Sequence, residues 1–536
     1  MSTSTAPSES GDPRATTTAD TSGPDAAARA SRDARRDRLT DLVPATTAVV
    51  VSALLLIAYS LGQWRSMYVP SWDLAIFSEL AKDYAHLQAP VVPIKGVGFN
   101  LLGDHFHPIL VLLGPVWALF PSPLSLLITQ DLLLAVSAWP LTRVATRVVG
   151  RVPALALGLC YALSWGFQGA VAAQFHEIAF AVPMLAWSCA AFVERRWWAS
   201  ALWAAPLVLV KEDLGLTALM IGLAIAWRGR HEEAPVHEPT GRRLRDRAAR
   251  LTPLQLGLGL AAFGLLMFLL TVLVILPLLS STGTWQYGLG GNAGDGTATT
   301  ASSDGPLSRL FSPEVKTATL AMIVCTAGLI GLGSPLIAAV LPTIAWRFLS
   351  SKEFYWDWKA WHYNAVLIPI ALGALLDVLA RLRARRAAPD DVDAPAGWLG
   401  APVWARWLSV VGVAVPLVMT VLTAKDLPLA SMKDEGWGAT SSRAAAAQQV
   451  MDTIAEGATV ETDLGLLAYL VPRAEVYWVG TAGVSPEYVV IDEQSSAWGG
   501  NPPMDAAQWI SGQVTDGSTY TNVLTVDGYQ VAKRNG

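Results

Sequence analysis

The chain has 536 residues, of which 52% are hydrophobic and only 15% charged, and its mean hydropathy is +0.39. That composition excludes a disordered chain and an ordinary water-soluble one. A net charge of −5 gives no basic field, and the arginines cluster beside apolar runs, so no nucleic-acid partner is expected. The partner that composition does demand is the lipid bilayer.

Residues 1–40 are rich in Ser, Thr, Ala, Asp and Arg, with no apolar segment of a signal peptide, and are expected to form a disordered tail. Arg32, Arg35, Arg36 and Arg38 precede the first apolar run, Leu42 to Gly62, which places the tail in the cytoplasm by the positive-inside rule. Ten further runs follow, at roughly 124–148, 153–171, 178–193, 197–210, 213–228, 254–280, 316–332, 334–349, 362–380 and 402–424. The basic breaks lie at Arg143/Arg147/Arg151, Arg195/Arg196, Arg228 to Arg250 and Arg381 to Arg386. With all of them cytoplasmic, the eleven runs give eleven crossings and an outward C-terminus.

One segment sets the parity. His107 to Phe120 is apolar, about 14 residues long and interrupted by Pro108 and Pro115, and a full crossing there would put every later basic cluster outside. It is therefore read as re-entrant or interfacial, within a long first external loop over residues 63–123. The expected domains are the tail (1–40), a transmembrane domain (41–424) and a soluble extracytoplasmic domain (425–536). In the last of these, an Ala-rich helix near 441–455 and strands near 459–462, 476–479, 488–491, 520–526 and 529–533 predict a small α/β fold. The fold class is thus mainly α: a polytopic helical membrane protein with a small C-terminal α/β domain. The three cysteines, Cys160, Cys189 and Cys325, sit in apolar runs without metal-ligand spacing and are expected to be packing residues.

This topology puts the polar clusters on the outer side. Asp73, in SWDLAIFSELAKDY, opens an amphipathic helix; it reads either as that helix's cap or as a general base at a membrane-surface cavity. Asp104, His105 and His107 form a DHxH group that suits catalysis, a divalent cation or a loop network. His176-Glu177 opens a crossing, where helix capping and substrate contact are equal alternatives. Lys211-Glu212-Asp213 interrupts a long apolar stretch, costly at membrane depth unless the three line a polar cavity or form a tight turn; Lys211 suits an anionic substrate group. Lys359 and His362 interleave with Trp356, Trp358, Trp361 and Tyr363, as in an interfacial aromatic belt or a sugar-stacking site, and Arg347 is placed to join Lys359 at a phosphate. Asp463 and Asp492, at strand ends, suit turns or ligand contact.

The segments SWDLAIF, LLGDHFHPIL with ALFPSPLSLL, QFHE, VKEDLGL and WHYNAVLIP together resemble the domain of unknown function 2079 family of bacterial multispanning proteins, over most of residues 60–380. That family resembles in turn the C-type (GT-C) glycosyltransferases. The resemblance implies a polyprenyl-phosphate sugar donor, a cell-envelope glycan or glycolipid acceptor, action at the outer face of the bacterial plasma membrane, and an acidic base in the first external loop, here Asp73. The first loop has no obvious DxD; a divalent cation is the one cofactor its residues admit. In the leading reading Asp73, Asp104 and His105 carry the chemistry, and His176, Glu177, Lys211, Glu212, Asp213, Arg347, Lys359 and His362 bind substrate. A transporter or lipid flippase, and a non-catalytic scaffold for an envelope lipid, are the alternatives.

Overall fold

The computed structural model describes residues 40–233, 250–283, 312–350, 352–387 and 403–536. The tail expected to be disordered, most of the Arg228–Arg250 break and most of the loop 281–312 lie outside them.

Each apolar run forms helix. Helix α1 (Val43–Arg65) leads into a loop that carries α2 (Asp73–Ala85) and α3 (Leu113–Leu119). Then come α4 (Pro123–Val149), α5 (Arg151–Ala162), α6 (Trp165–Ala172), α7 (Ala181–Val193), α8 (Trp197–Ala204) and α9 (Leu214–Arg228). Helix α10 (Pro253–Leu270) runs on to Leu279, followed by α11 (Glu314–Thr326), α12 (Leu341–Leu349), α13 (Leu367–Ala387) and α14 (Val403–Thr423). Among the described residues, six helical stretches are long and apolar enough to span a bilayer, including Pro123–Val149 and Pro253–Leu279; five others, including Glu177–Val193 and Leu214–Arg228, are shorter. Local chemistry fixes several ends. The Ser122 hydroxyl accepts from Leu124 N ahead of Pro123, and Thr252 and Gln255 form a reciprocal capping box ahead of Pro253. The segment read as non-crossing is a turn of 3-10 helix, Pro108–Leu112, running into the seven-residue α3.

The basic breaks meet at one end of the helices. Arg147 and Arg196 pair with Glu194, Arg195 pairs with Glu232, and Asp377 takes both Arg228 (3.5 Å) and Arg381 (3.2 Å). Helices α7 and α9 run from the opposite end to these arginines, so the residues just before them, His176-Glu177 and Lys211-Glu212-Asp213, lie together away from the basic end.

Helix α9 packs on α10 through small residues. A Cβ on Gly222 would lie 2.6 Å from the Gly257 carbonyl oxygen, and one on Gly257 would lie 2.4 Å from Ala226 N. Backbones this close gain dispersion over their whole length, the main attraction available between helices in lipid.

After α14 the chain forms α15 (Ala444–Thr453), β1 (Thr459–Thr462), the single turn α16 (Leu467–Leu470), β2 (Glu475–Trp478), β3 (Tyr488–Asp492), α17 (Ala506–Ser511), β4 (Tyr520–Val526) and β5 (Tyr529–Arg534). The sheet order is β2-β1-β3-β5-β4, with β2-β1-β3 parallel and β5 antiparallel to both β3 and β4. All five residues of β3, Val460 to Thr462 of β1 and Tyr529 to Ala532 of β5 are buried, as strands covered on both faces require. This sheet packs on α2. Lys82 Nζ donates to the carbonyls of Val471 (3.0 Å) and Ala474 (2.8 Å), Val476 N donates to Glu79 (3.4 Å), and Tyr469 donates to the Trp64 carbonyl at the end of α1 (3.1 Å). Residues 44–536 accordingly form one compact unit.

Gly222→Leu is expected to lower the thermal unfolding temperature of the detergent-solubilised protein, because overpacking costs about 1–3 kcal/mol. An unchanged melting curve would show that the α9–α10 contact is not tightly packed.

Candidate active site

Asp73 is the first residue of α2, where the helix dipole favours a carboxylate. The cap alternative does not hold: the capping position is Trp72, and no side chain there bonds the helix. The Asp73 carboxylate instead accepts from Ser71 Oγ (2.8 Å) and faces His176 Nε2 (3.4 Å), both at Oδ2. Burial works against its ionisation, but the His176 contact and the Ser71 hydrogen bond outweigh it and hold its pKa below the ordinary aspartate value.

His176 is placed by the turn after α6, where Gln174 has φ +69°. Its backbone N–H donates to Gln130 Oε1 (3.1 Å), and its Nδ1 faces the Gln174 carbonyl (3.2 Å), so Nδ1 carries a proton. The reverse face of the His176 ring stacks on His362, with centroids 3.6 Å apart. His362 reaches that position because Trp361 turns the chain with φ +65°, and Asn364 Nδ2 gathers the carbonyls of Asp357, Trp358 and Ala360.

Lys211, Glu212 and Asp213 fill the turn before α9, and each points to a different partner. Lys211 Nζ pairs with Glu177 at 2.8 Å, with both side chains nearly buried. Burial opposes the charge on Lys211, yet Glu177 and the neighbouring carboxylates raise its pKa above the usual lysine value. Glu212 Oε1 meets His105 Nδ1 at 2.7 Å, and its other oxygen accepts from Phe106 N at 3.2 Å. Burial disfavours both charges in this pair, but their mutual attraction raises His105 and lowers Glu212. Asp213 accepts from Trp346 Nε1 (3.0 Å) through Oδ2, while Oδ1 is buried without a hydrogen-bond partner; burial, opposed by Lys211, pushes its pKa up to about 6. Glu177 lies within electrostatic reach of His105, His176 and His362 as well as Lys211. Asp73, His105, His176, Glu177, Lys211, Glu212, Asp213 and His362 therefore form one cluster of carboxylates, imidazoles and an ammonium.

Three other candidates sit differently. Arg347 is fully buried and donates to the carbonyls of Tyr355 (2.7 Å) and Tyr363 (3.5 Å), so it holds the loop that carries His362. Asp104 pairs with Lys95 (3.1 Å) and acts on the cluster through its charge on His105. Lys359 is exposed, its backbone N–H bonded to Asp357 Oδ1 and its ammonium over the Trp358 ring. The DHxH group thus diverges, and among the described residues no three His, Cys, Asp or Glu side chains gather as metal ligands. Asp463 and Asp492 are engaged internally: Asp463 accepts from Gly465 N, Asp492 N and Trp498 Nε1, and Asp492 holds Arg443 through both oxygens.

Several residues of the site have no such mark in the sequence. Lys95, in a 3-10 turn of the first loop, has only a lone basic residue between apolar ones as its signal. Tyr355 lies close enough to Lys211 and Asp73 to feel both charges, and burial pushes its phenol up. His107, by contrast, was marked by the DHxH group; it is buried with its ring edge-on to Phe77, and burial pushes it down to about 4.

The fold and this cluster define a polytopic helical membrane protein with a largely buried group of ion pairs at the end of the bundle opposite its basic breaks. The chain belongs to the family described as predicted membrane protein (DUF2079), whose model matches residues 63–531 and so extends through the C-terminal sheet. No curated protein matches the chain. A crystal structure of ArnT from Cupriavidus metallidurans bound to undecaprenyl phosphate is similar at 13% identity over 91% of this chain and 97% of that one, with a TM-score of 0.44.

Lys211→Met is expected to destabilise the protein by about 3 kcal/mol by leaving Glu177 buried without its cation, and adding Glu177→Gln should restore part of the loss. A double variant no more stable than the single one would show that the two groups are not coupled. The His105–Glu212 pair carries a pH signature. The stabilisation from His105 is complete below the unfolded histidine pKa of about 6.5 and is lost as pH rises through its higher folded value. That from Glu212 is present above the unfolded glutamate pKa of about 4.3 and is lost as pH falls through its lower folded value. The stability difference between wild type and Glu212→Gln should therefore be greatest near pH 5–6 and narrow on either side. A pH-independent difference would contradict the pairing.

Proposed function

We propose that the protein is a membrane glycosyltransferase of the GT-C type, which transfers a sugar from a polyprenyl-phosphate donor to a cell-envelope glycan or glycolipid. The observation that carries this reading is the Asp73–His176 pair: a carboxylate at a helix N-terminus, about a quarter exposed, backed by a buried imidazole whose Nε2 lies 3.4 Å from it. Oδ2 takes both the Ser71 and His176 contacts, which leaves Oδ1 to accept the proton of an acceptor hydroxyl. As that oxygen attacks the anomeric carbon, the bond from carbon to the phosphate oxygen breaks and the lipid phosphate leaves with the electron pair. A phosphate dianion is a good leaving group, so a base kept ionised by its environment is sufficient even though its pKa is depressed.

His105, held cationic by Glu212, and Lys211, held by Glu177, supply the positive charge that the departing phosphate requires. Their carboxylate partners make these cations tolerable at a membrane boundary before substrate arrives. By the positive-inside rule the arginine end of the bundle is cytoplasmic, which puts the site, the loop 63–123 and the α/β region from 425 onward on the extracytoplasmic side of the bacterial plasma membrane, with the N-terminus inside. Domain limits at 41–424 and 425–536 fit this arrangement. The transporter reading needs charged groups along a path through the membrane. The pairs of this cluster lie instead at one end of the helices, which favours an interfacial reaction.

Sugar transfer from a panel of radiolabelled polyprenyl-phosphate sugars to envelope-extract acceptors tests the proposal. Asp73→Asn is expected to lower the rate by at least about a hundredfold with folding retained, a loss typical of a missing general base. Retention of a near-normal rate would remove Asp73 from this role, and flux of solute or lipid in proteoliposomes without transfer would establish the rival reading.

A further inference from the structure

Beside Asp73 stands an aromatic corner that the reaction described above does not use. Trp72, one residue before the base, is 36% exposed although it is a large apolar side chain. The ring of Trp478, the last residue of β2, meets it edge-on with centroids 5.6 Å apart. Lys95 Nζ lies 5.3 Å from the Trp72 ring centroid and an equal 5.3 Å from that of Phe99, and it pairs with Asp104 at 3.1 Å. The three parts come from distant stretches of sequence, so their meeting depends on the C-terminal sheet packing on α2.

That packing is specific. The edge strand β2 is held to α2 by the Val476 N–H to Glu79 bond, and Lys82 of α2 donates to the two carbonyls Val471 and Ala474, just before β2. Trp478 follows Val476 by two residues on the same strand, so its position is fixed relative to the helix whose first residue is Asp73. A partly exposed indole pair offers a flat apolar face to the C–H surface of a pyranose, and a carboxylate–ammonium pair alongside offers acceptors and donors to its hydroxyls. An indole at a membrane interface alone would need neither the second ring from another part of the chain nor the adjacent ion pair.

We propose that Trp72 and Trp478, with Lys95 and Asp104 at their side, form a carbohydrate subsite that seats a pyranose of the acceptor next to Asp73, so that the C-terminal sheet contributes directly to acceptor recognition. This deepens the glycosyltransferase reading and rests on it for the identity of the bound sugar as acceptor. Asp104 is then a hydroxyl-binding residue.

Saturation-transfer NMR on the purified full-length protein, with neutral gluco-, manno-, galacto- and chito-tetrasaccharides as probes, reads the subsite without any turnover. At least one tetrasaccharide is expected to receive saturation at its ring C–H protons. Its affinity should fall about tenfold or more in Trp478→Ala and in Trp72→Ala, and largely persist in Trp478→Phe, which keeps a flat ring. Asp73→Asn should remove transfer while the tetrasaccharide still receives saturation at its ring C–H protons. Binding by none of the sugars, or equal binding in Trp478→Ala and wild type, would overturn the proposal. Should Trp478→Ala unfold the protein, Trp478→Phe with wild-type melting and Trp478→Leu, which keeps bulk but not the flat face, decide the matter, since only a stacking role separates them. Sugar contact without transfer would leave the subsite standing and remove the enzyme reading. Transfer without sugar contact would do the reverse.

Discussion

A charged side chain that leaves water must find an opposite charge, and at the edge of a bilayer there is little solvent to make up for a missing partner. That constraint organises both ends of this bundle. At one end arginines from four separate connections are tied to Glu194, Glu232 and Asp377. At the other, Glu177 meets Lys211, Glu212 meets His105 and Asp73 meets His176. The polar turn Lys211-Glu212-Asp213 is the keystone of the second set, because its consecutive side chains reach out to three elements: the turn before α7, the first loop and α12. Small residues between α9 and α10 then allow this turn to sit close to its neighbours.

Pairing also accounts for the reactivity ascribed to the site. Attraction between buried opposite charges keeps His105 and Lys211 cationic and Asp73 anionic, each against the cost of burial. A cluster in this state needs no reorganisation to meet a phosphate and a hydroxyl, which is the form in which fixed charges accelerate a reaction most. Asp213 differs, since burial raises it and one of its oxygens has no partner, so it is the member of the turn that changes charge most easily near neutral pH.

Much of this was legible in the sequence, for identifiable reasons. Apolar length marked the six helical stretches that are long enough to span a bilayer, and Pro108–Leu119 is one of five shorter apolar helices among the described residues. The strands of the C-terminal sheet emerged within a residue or so of their positions, because β-branched and aromatic stretches bounded by Gly and Pro leave few alternatives. Topology alone also brought these polar clusters to one end of the helices. Partner choice was not legible: DHxH reads as a compact ligand group, yet Asp104 and His105 diverge to Lys95 and Glu212, residues 9 and 107 positions away. Arg347 was similarly visible as a charge but not as the clamp of the 355–363 loop, because its acceptors are backbone carbonyls, which every residue possesses. The contact of Trp478 with Trp72 depends on how a sheet docks on a helix and has no local sequence signal.

The central claim is that the cations of the cluster receive the lipid phosphate while Asp73 faces the acceptor. Electron cryo-microscopy of the full chain in nanodiscs loaded with a non-hydrolysable polyprenyl-phosphonate sugar tests it directly. The phosphonate is expected within hydrogen-bonding distance of His105 and Lys211, with the anomeric carbon on the Asp73 side of the His176–His362 stack. A phosphonate seated at the arginine end of the bundle, or in contact with neither cation, would contradict it.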